Sequence, residues 1–260
     1  MVQRRGLVSR VALIAGGAGG LGRALTAELL NEGFHVVALD LPSAALAGLE
    51  GCETVGCDMT DAAALREACE GITKAHPAID LVIYAQGVTS LAAFEDDNER
   101  QHRRVFEVNY FASVALARNV FLAVRAAQGT HLAISSVAGF APLVRRTAYA
   151  ASKHALEGFF KSLRGEEAAH GVHVLIAAPS FVATNIGAAE ASENGLTRPG
   201  SASDGIDYMS PKEAAVAIIS GYKKRRKMTP IGRVARLSAW AIRIWPDFYE
   251  RQMLKRINKP

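Results

Sequence analysis

Two side chains four residues apart, Tyr149 and Lys153 in "TAYAASKHALEGFF", bring a phenol and an ammonium into one short run. On a helix such residues share a face, so both groups point toward one place. A cation near a phenol favours phenolate and lowers its pKa from the usual value of about 10, giving an acid or base usable nearer neutrality. Ser136 closes the apolar run just upstream, thirteen residues before Tyr149, and its hydroxyl is a second polar group for the same place. Taken alone, Tyr149 also reads as an aromatic anchor and Lys153 as a solvated face residue. His154 adjoins Lys153 but points about 100° away around a helix, so it reads as packing, with Leu156, Phe159 and Phe160.

A second chemical pattern lies near the amino terminus. In "ALIAGGAGGLGRALTAELL", Gly16, Gly20 and Gly22 follow an apolar run and enter a helical one. Glycine is required where a chain turns sharply and where backbone approaches a pyrophosphate, whose charge then meets a helix amino terminus. Asp40 ends the next apolar run, where a carboxylate accepts hydrogen bonds from the adenosine ribose hydroxyls and repels an added phosphate. No Arg or Lys occupies positions 17 to 19 or 41 to 43 to offset that charge. The expected cofactor is therefore NAD. Asp58 in "GCDMTD" follows a third run, where a side chain reaches adenine, although Thr60 or Asp61 there also suits a helix cap.

These groups need a scaffold, and the pattern supplies one. Apolar, β-rich runs at 10–16, 35–40, 52–57, 80–87, 130–136 and 172–179 alternate with helical patterns near 20–32, 61–75, 100–127, 150–170 and 211–222. Such alternation predicts one α/β domain, a doubly wound parallel sheet between two helical layers, with ligands at the carboxyl ends of its strands. Residues 180–209, rich in Gly, Ser and Ala, interrupt the rhythm and read as a substrate lid. Residues 223–260 read as a basic extension.

The formal net charge of +5 hides an asymmetry, because residues 223–260 carry twelve Lys or Arg against Asp247 and Glu250, leaving an acidic body. A basic tail on an acidic body gives no nucleic-acid-binding surface. Cys52, Cys57 and Cys69 have no metal-ligand spacing, so no metal site is expected and the thiols read as reduced, in a cytoplasmic setting. Arg10 and the glycines break the first apolar run too early for an export signal, and no run approaches eighteen apolar residues.

"SSVAG" at 135–139, "YAASK" at 149–153 and the glycine pattern together resemble the short-chain dehydrogenase/reductase family, over the chain through the helix near 222. The resemblance implies a Rossmann fold in which Tyr149 is the general acid or base, Ser136 polarises the substrate oxygen, and Lys153 binds the nicotinamide ribose while tuning Tyr149. It also implies that Asn109, in "VFEVNYFA", holds a water in a proton relay. Cofactor contacts implied on the same basis are Gly16, Gly19, Gly20, Leu21, Gly22, Asp40, Leu41, Asp58, Met59, Ala85, Gln86, Gly87, Tyr149, Lys153, Pro179, Ser180, Val182 and Thr184. Three positions depart from the family's pattern: Ala15 before the first glycine, Tyr84-Ala85-Gln86-Gly87 where "NNAG" is common, and Ser180 in place of glycine. The segment from Arg146 to Ile186, with the later "KKRRK", is similar to the dehydrogenase/reductase 7B and hydroxysteroid dehydrogenase-like branch, which acts on lipophilic carbonyls.

A hydrophobic secondary alcohol or its ketone, a hydroxysteroid or an aromatic alcohol, is accordingly expected as substrate, with Phe181, Ile186, Leu196, Ile206, Tyr208 and Met209 as apolar lining. Acyl-thioester or sugar carbonyls are the alternative, as is a catalytically idle NAD-binding scaffold. A homodimer or homotetramer is implied by the resemblance. In "GRVARLSAWAIRIW", Arg233, Arg236 and Arg243 form one stripe and Val234, Leu237, Ala241 and Ile244 another, with Trp240 near the boundary. That segment suits either an anionic membrane surface or a cover over the crevice or subunit contact.

Overall fold

The computed structural model describes residues 9–184, 196–197, 199–200 and 208–257, with side chains through 252 and that of residue 44 excepted. In chain order the elements are β1 (Val11–Ala15), α1 (Gly20–Asn31), β2 (His35–Asp40), α2 (Ala44–Ala47), β3 (Glu53–Gly56), α3 (Ala62–Ala75), β4 (Leu81–Tyr84), β5 (Thr89–Ser90), α4 (Glu99–Phe106), α5 (Ala112–Ala127), β6 (Thr130–Ile134), α6 (Thr147–Glu167), β7 (His173–Pro179), β8 (Leu196–Thr197), α7 (Pro211–Lys223), β9 (Met228–Ile231), α8 (Arg233–Ile244) and α9 (Pro246–Ile257).

Seven parallel strands form the main sheet in the order β3-β2-β1-β4-β6-β7-β9. The central strands β1, β4 and β6 are buried at every position, as strands covered on both faces must be, whereas edge strand β3 is not fully buried anywhere. One core packs α3, α5 and α6 on the sheet through Leu65, Leu116, Val120, Leu156 and Phe160; the other packs α1 and α7 through Leu25, Leu29, Ile218 and Ile219. This is the three-layer, doubly wound Rossmann fold, single-domained as expected. Strand order reverses between β1 and β4, so the crevice opens at the ends of Ala15 and Tyr84.

Local chemistry fixes where helices begin. Asp61 caps α3 by accepting from the Ala63 and Ala64 amides at 2.9 and 3.1 Å, which settles the capping role on Asp61. Ser210 and Glu213 cap α7 reciprocally, with Pro211 at its first turn.

The structure differs from the sequence reading in two elements. The helix expected over 100–127 is interrupted by a π turn at Glu107–Phe111, between α4 and α5. Over Glu99–Ala127 it is long and apolar enough to cross a membrane, but it packs on the sheet through Leu116, Val120 and Val124. Within the basic tail, β9 joins β7 in register from Ile176↔Met228 to Pro179↔Ile231. Its Pro230 is tolerated because β9 is the sheet's edge.

Candidate active site

The end of β6 and the start of α6 build one wall of the crevice. After Ile134, Ser136 caps a short turn by accepting from the Ala138 amide at 3.2 Å. Neighbouring Ser135 donates to Glu157 Oε1 at 2.8 Å, and Lys161 pairs with Glu157 Oε2 at 2.6 Å. A β-carbon on Gly139 would stand 2.3 Å from Ser135 Oγ and 2.5 Å from Glu157 Oε1, so turn and helix are packed to contact. Glu157 is buried. Sequence reasoning passed over it, although Tyr149, Lys153 and Glu157 follow i, i+4, i+8 along one stripe.

That contact brings the reactive set together. Tyr149 is buried and hydrogen-bonded to Ser136. Lys153 Nζ lies 5.8 Å from the Tyr149 ring centre and donates to the Ile134 carbonyl at 2.9 Å. The electrostatics correct one expectation. Burial raises the Tyr149 pKa above the usual phenol value, and the Ser136 hydrogen bond followed by the Arg146 charge pulls it partly back. Lys153 is itself brought down to about 8 by burial, which the Glu157 charge only partly counters.

Asn109 sits in the π turn, fully buried. Its Oδ1 accepts from the Val88 amide at 2.9 Å, and its Nδ2 donates to the Val88 carbonyl at 3.0 Å and Ser152 Oγ at 2.9 Å. The side chain therefore clamps the strand-end loop at Val88. It leaves Gly87 facing the crevice, where a β-carbon would be 3.5 Å from Asn109 Oδ1 and 3.8 Å from Lys153 Nζ. Gln86 turns away, donating to Ser113 Oγ at 2.7 Å, so only backbone at Gln86 is available to a ligand. Tyr84 is committed likewise, its hydroxyl 2.6 Å from His131 Nδ1 in the core.

The opposite wall is a cradle of backbone. Gly16 has φ +79°, and a β-carbon there would meet the Gln86 amide at 2.6 Å; one on Gly22 would meet the Gly16 carbonyl at 2.1 Å. Gly19 and Gly20 open α1 beneath Thr184, whose carbonyl a β-carbon on Gly20 would meet at 2.9 Å. A dinucleotide pyrophosphate fits here, since bare backbone and a helix amino terminus converge at the sheet's switch point. Pro179 ends β7, and Ser180 beyond it buries its Oγ against Gly232 with no hydrogen-bond partner among the described residues. Val182 bridges to Met209, and Thr184 Oγ1 donates to the Pro199 carbonyl at 2.7 Å. Phe181 and Tyr208 pack at 5.8 Å between ring centres, and Leu196 pairs with Ser90. Ile186 and Ile206 lie outside the described residues.

At the adenosine end, both oxygens of Asp40 already serve backbone, accepting from the Ala18 and Leu41 amides at 2.8 Å each. Arg23 reaches back from α1 to the same corner, donating to the carbonyls of Ala18 at 3.1 Å, Gly48 at 3.4 Å and Ala45. Asp58 accepts from the Thr60 amide and hydroxyl at 2.9 and 2.7 Å, and Arg104 stands 3.8 Å away. Met59 packs against the core. Arg23 thus lies at the Ala18 turn and Arg104 at Asp58, both reaching the adenosine end from outside the windows 17–19 and 41–43.

Comparison with known proteins agrees with this geometry. Residues 10–195 match the family model for short chain dehydrogenase. The chain is 32% identical to bovine (Bos taurus) dehydrogenase/reductase SDR family member 7B over 96% of this chain and 82% of that protein. A short chain dehydrogenase from Burkholderia cenocepacia, solved with NADP, superposes with a TM-score of 0.83 at 21% identity, covering 95% of this chain and 98% of that one. A metagenomic short-chain oxidoreductase, also solved with NADP, gives 0.67 at 25% identity, covering 83% and 91%. The expectation of NAD from Asp40 is therefore corrected: similar solved proteins carry NADP, and in this chain both Asp40 oxygens are engaged by backbone amides, while Arg23 bonds the carbonyl of the same Ala18 whose amide Asp40 holds. The catalytic-side cluster, the backbone cradle and the family match carry one conclusion: the chain belongs to the short chain dehydrogenase family and is an NAD(P)-dependent oxidoreductase.

Proposed function

We propose that the protein interconverts a hydrophobic secondary alcohol and its ketone, with NADP as the cofactor. The observation that carries this reading is the hydrogen bond between Tyr149 and Ser136 beside the buried Lys153 ammonium. Gly16, Gly20, Gly22 and Gly87 hold the dinucleotide, which, when bound, supplies the hydride acceptor or donor. Ser136 holds the substrate oxygen. Tyr149 takes the hydroxyl proton during oxidation and returns it to the ketone oxygen during reduction, so charge never accumulates on that oxygen. Lys153 fixes the ribose side of the site and keeps a positive charge near the phenol. Asn109 keeps the Val88 loop open beside Lys153 Nζ, where a water can relay the proton outward.

The lipophilic substrate class is supported by Phe181, Tyr208 and Met209 after β7, without a carboxylate or a basic side chain among them. Within that class hydroxysteroids and aromatic secondary alcohols suit the lining best. Exposed Phe111 in the π turn and Leu122 on α5 support self-association. The test is turnover on a panel of steroidal, aromatic and aliphatic secondary alcohols and their ketones, with NADP and NAD in parallel and Tyr149→Phe as control. Turnover lost in the control supports the reading; turnover unchanged in it, or a preference for carrier-bound thioesters over free ketones, overturns it.

A further inference from the structure

Helix α8 is amphipathic in the opposite sense from a core helix. It packs on β9 and on the turn after Ser136 through its small residues, with Ala235 and Ser238 buried. Its large apolar residues point outward: Leu237 is 70% exposed, Trp240 72% and Ile244 49%, at spacings that make one stripe. Trp245 at 65% and Phe248 at 57% continue it into α9. Arg233, Arg236 and Arg243 flank the stripe, all on the exposed side. Between Glu213 and Asp247 the sequence has no acidic residue. The helix starts at Gly232, packed against Ser180, so the stripe begins at the mouth of the crevice.

We propose that this face docks on an anionic lipid surface and sets the crevice mouth against it. Apolar residues with Trp at their edge enter the headgroup boundary while arginines meet the phosphates, a division of labour that α8 presents on one side. A second copy of this chain is a poorer occupant, because a two-fold contact would set arginines against arginines with no α8 carboxylate to pair them. The five basic residues Lys223–Lys227 belong to a different end of the molecule. They precede β9, at the amino end of the sheet, and are not part of this face.

The chain's two tryptophans, Trp240 and Trp245, both lie on the proposed face, so intrinsic fluorescence reports its occupancy directly. The full-length protein is mixed with phosphatidylcholine vesicles with and without phosphatidylglycerol, and emission and co-flotation are followed. Expected are a blue shift and flotation only with the anionic vesicles, weakened about fivefold for each of Arg236→Gln and Arg243→Gln, and by added salt. Trp240→Phe should retain binding, whereas Leu237→Glu with Ile244→Glu should lose it while turnover of a water-soluble substrate persists. Emission that ignores both vesicle types overturns the proposal. So does emission already blue-shifted without lipid and dependent on protein concentration, which would identify a second copy as the occupant.

A different observation, at the far end of the sheet, carries a second inference. His35 opens β2, Glu53 opens β3 and His76 follows α3, and their ligand atoms lie within 4.8 Å of one another. Both imidazole Nε2 atoms approach the same Glu53 Oε2, at 3.1 and 2.9 Å. A tetrahedral zinc ion with bonds of about 2.0 to 2.1 Å sets its ligand atoms roughly 3.3 Å apart, so small shifts would seat one, leaving solvent as the fourth ligand. We infer that these three residues form a site for zinc or a similar divalent transition ion, one the cysteine and histidine spacing of the sequence did not signal. Cobalt added to the untagged protein should give tetrahedral d–d absorption, and zinc should raise the melting temperature relative to chelator, both lost in His76→Ala and weakened in Glu53→Gln. Absence of the band, or a thermal shift that persists in His76→Ala, overturns the assignment.

Discussion

Lys153 donates from Nζ to the Ile134 carbonyl 2.9 Å away, at the end of the strand that delivers Ser136. This ties an ammonium to the sheet interior, and burial brings its pKa down from 10.5 to about 8. Between those two values the unfolded chain holds the proton and the folded one releases it, so folding stability rises as pH climbs from 8 to 10.5. Below pH 8 the penalty is complete, on the order of 3 kcal/mol. Lys153→Met should therefore be inactive yet more stable than the parent at pH 7, by roughly 1 to 2 kcal/mol once the orphaned carbonyl is counted. Denaturant melts of both proteins against pH check this: the gap should close above pH 8, and a constant gap would contradict it.

The pH dependence of turnover should follow Tyr149. Its phenol is raised above the ordinary value because burial outweighs the Ser136 hydrogen bond and the Arg146 charge. The neutral acid required for ketone reduction is then available throughout neutral pH, while the base required for alcohol oxidation grows as pH rises. Reduction should stay flat over about pH 6 to 9, and oxidation should climb up to tenfold per pH unit over the same span. Ser136→Ala removes a bond that favours phenolate, so its oxidation profile should move further alkaline. A neutral optimum for oxidation would show that Tyr149 ionises more readily than its burial implies.

Two glycines in helices give opposite outcomes on substitution. A β-carbon at Gly22 would stand 2.1 Å from the Gly16 carbonyl, whereas one at Gly71 in α3 meets nothing within 4 Å. Gly22→Ala should displace the first turn of α1 and abolish dinucleotide binding. Gly71→Ala should leave binding intact and raise stability by about 0.5 to 1 kcal/mol. Titration of cofactor fluorescence and a melt on each variant decide both.

The fold was legible because its strands are continuous apolar runs bounded by glycine, and the six read from sequence fall within a few residues of β1, β2, β3, β4, β6 and β7. The seventh was not, since four residues including Pro230 beside "KKRRK" look like a tail until β7 offers a partner. Tyr149, Ser136 and Lys153 were legible as a set because "SSVAG" and "YAASK" resemble the family's motifs, where spacing alone left an aromatic anchor and a solvated lysine. What drives their protonation was not. Burial, partly countered by the Glu157 charge, acts on Lys153, and burial, partly countered by Ser136 and Arg146, acts on Tyr149; both are consequences of packing that spacing cannot express. The π turn that seats Asn109 leaves no mark in a periodic pattern, and helical spacing alone does not single out Glu157, which Ser135 and Lys161 close around in the fold.

Cofactor choice turns on the same limitation. A carboxylate at Asp40 argues against a phosphate on the ribose, but both its oxygens already accept from backbone at 2.8 Å, and Arg23 anchors a positive charge beside Ala18, Ala45 and Gly48. An arginine near a phosphate contributes a charge-assisted contact worth about 1.5 to 3 kcal/mol, or roughly 10 to 150-fold in affinity. Arg23→Ala should therefore reduce kcat/KM with NADP by at least tenfold while changing the value with NAD by less than about threefold. Asp40→Ser, which keeps an acceptor for the Ala18 amide but removes the charge, should move the ratio further toward NADP. Parallel kinetics with both cofactors settle the matter. If Arg23→Ala weakens NADP and NAD equally, Arg23 only braces the loop around Ala45, and the phosphate must be held elsewhere.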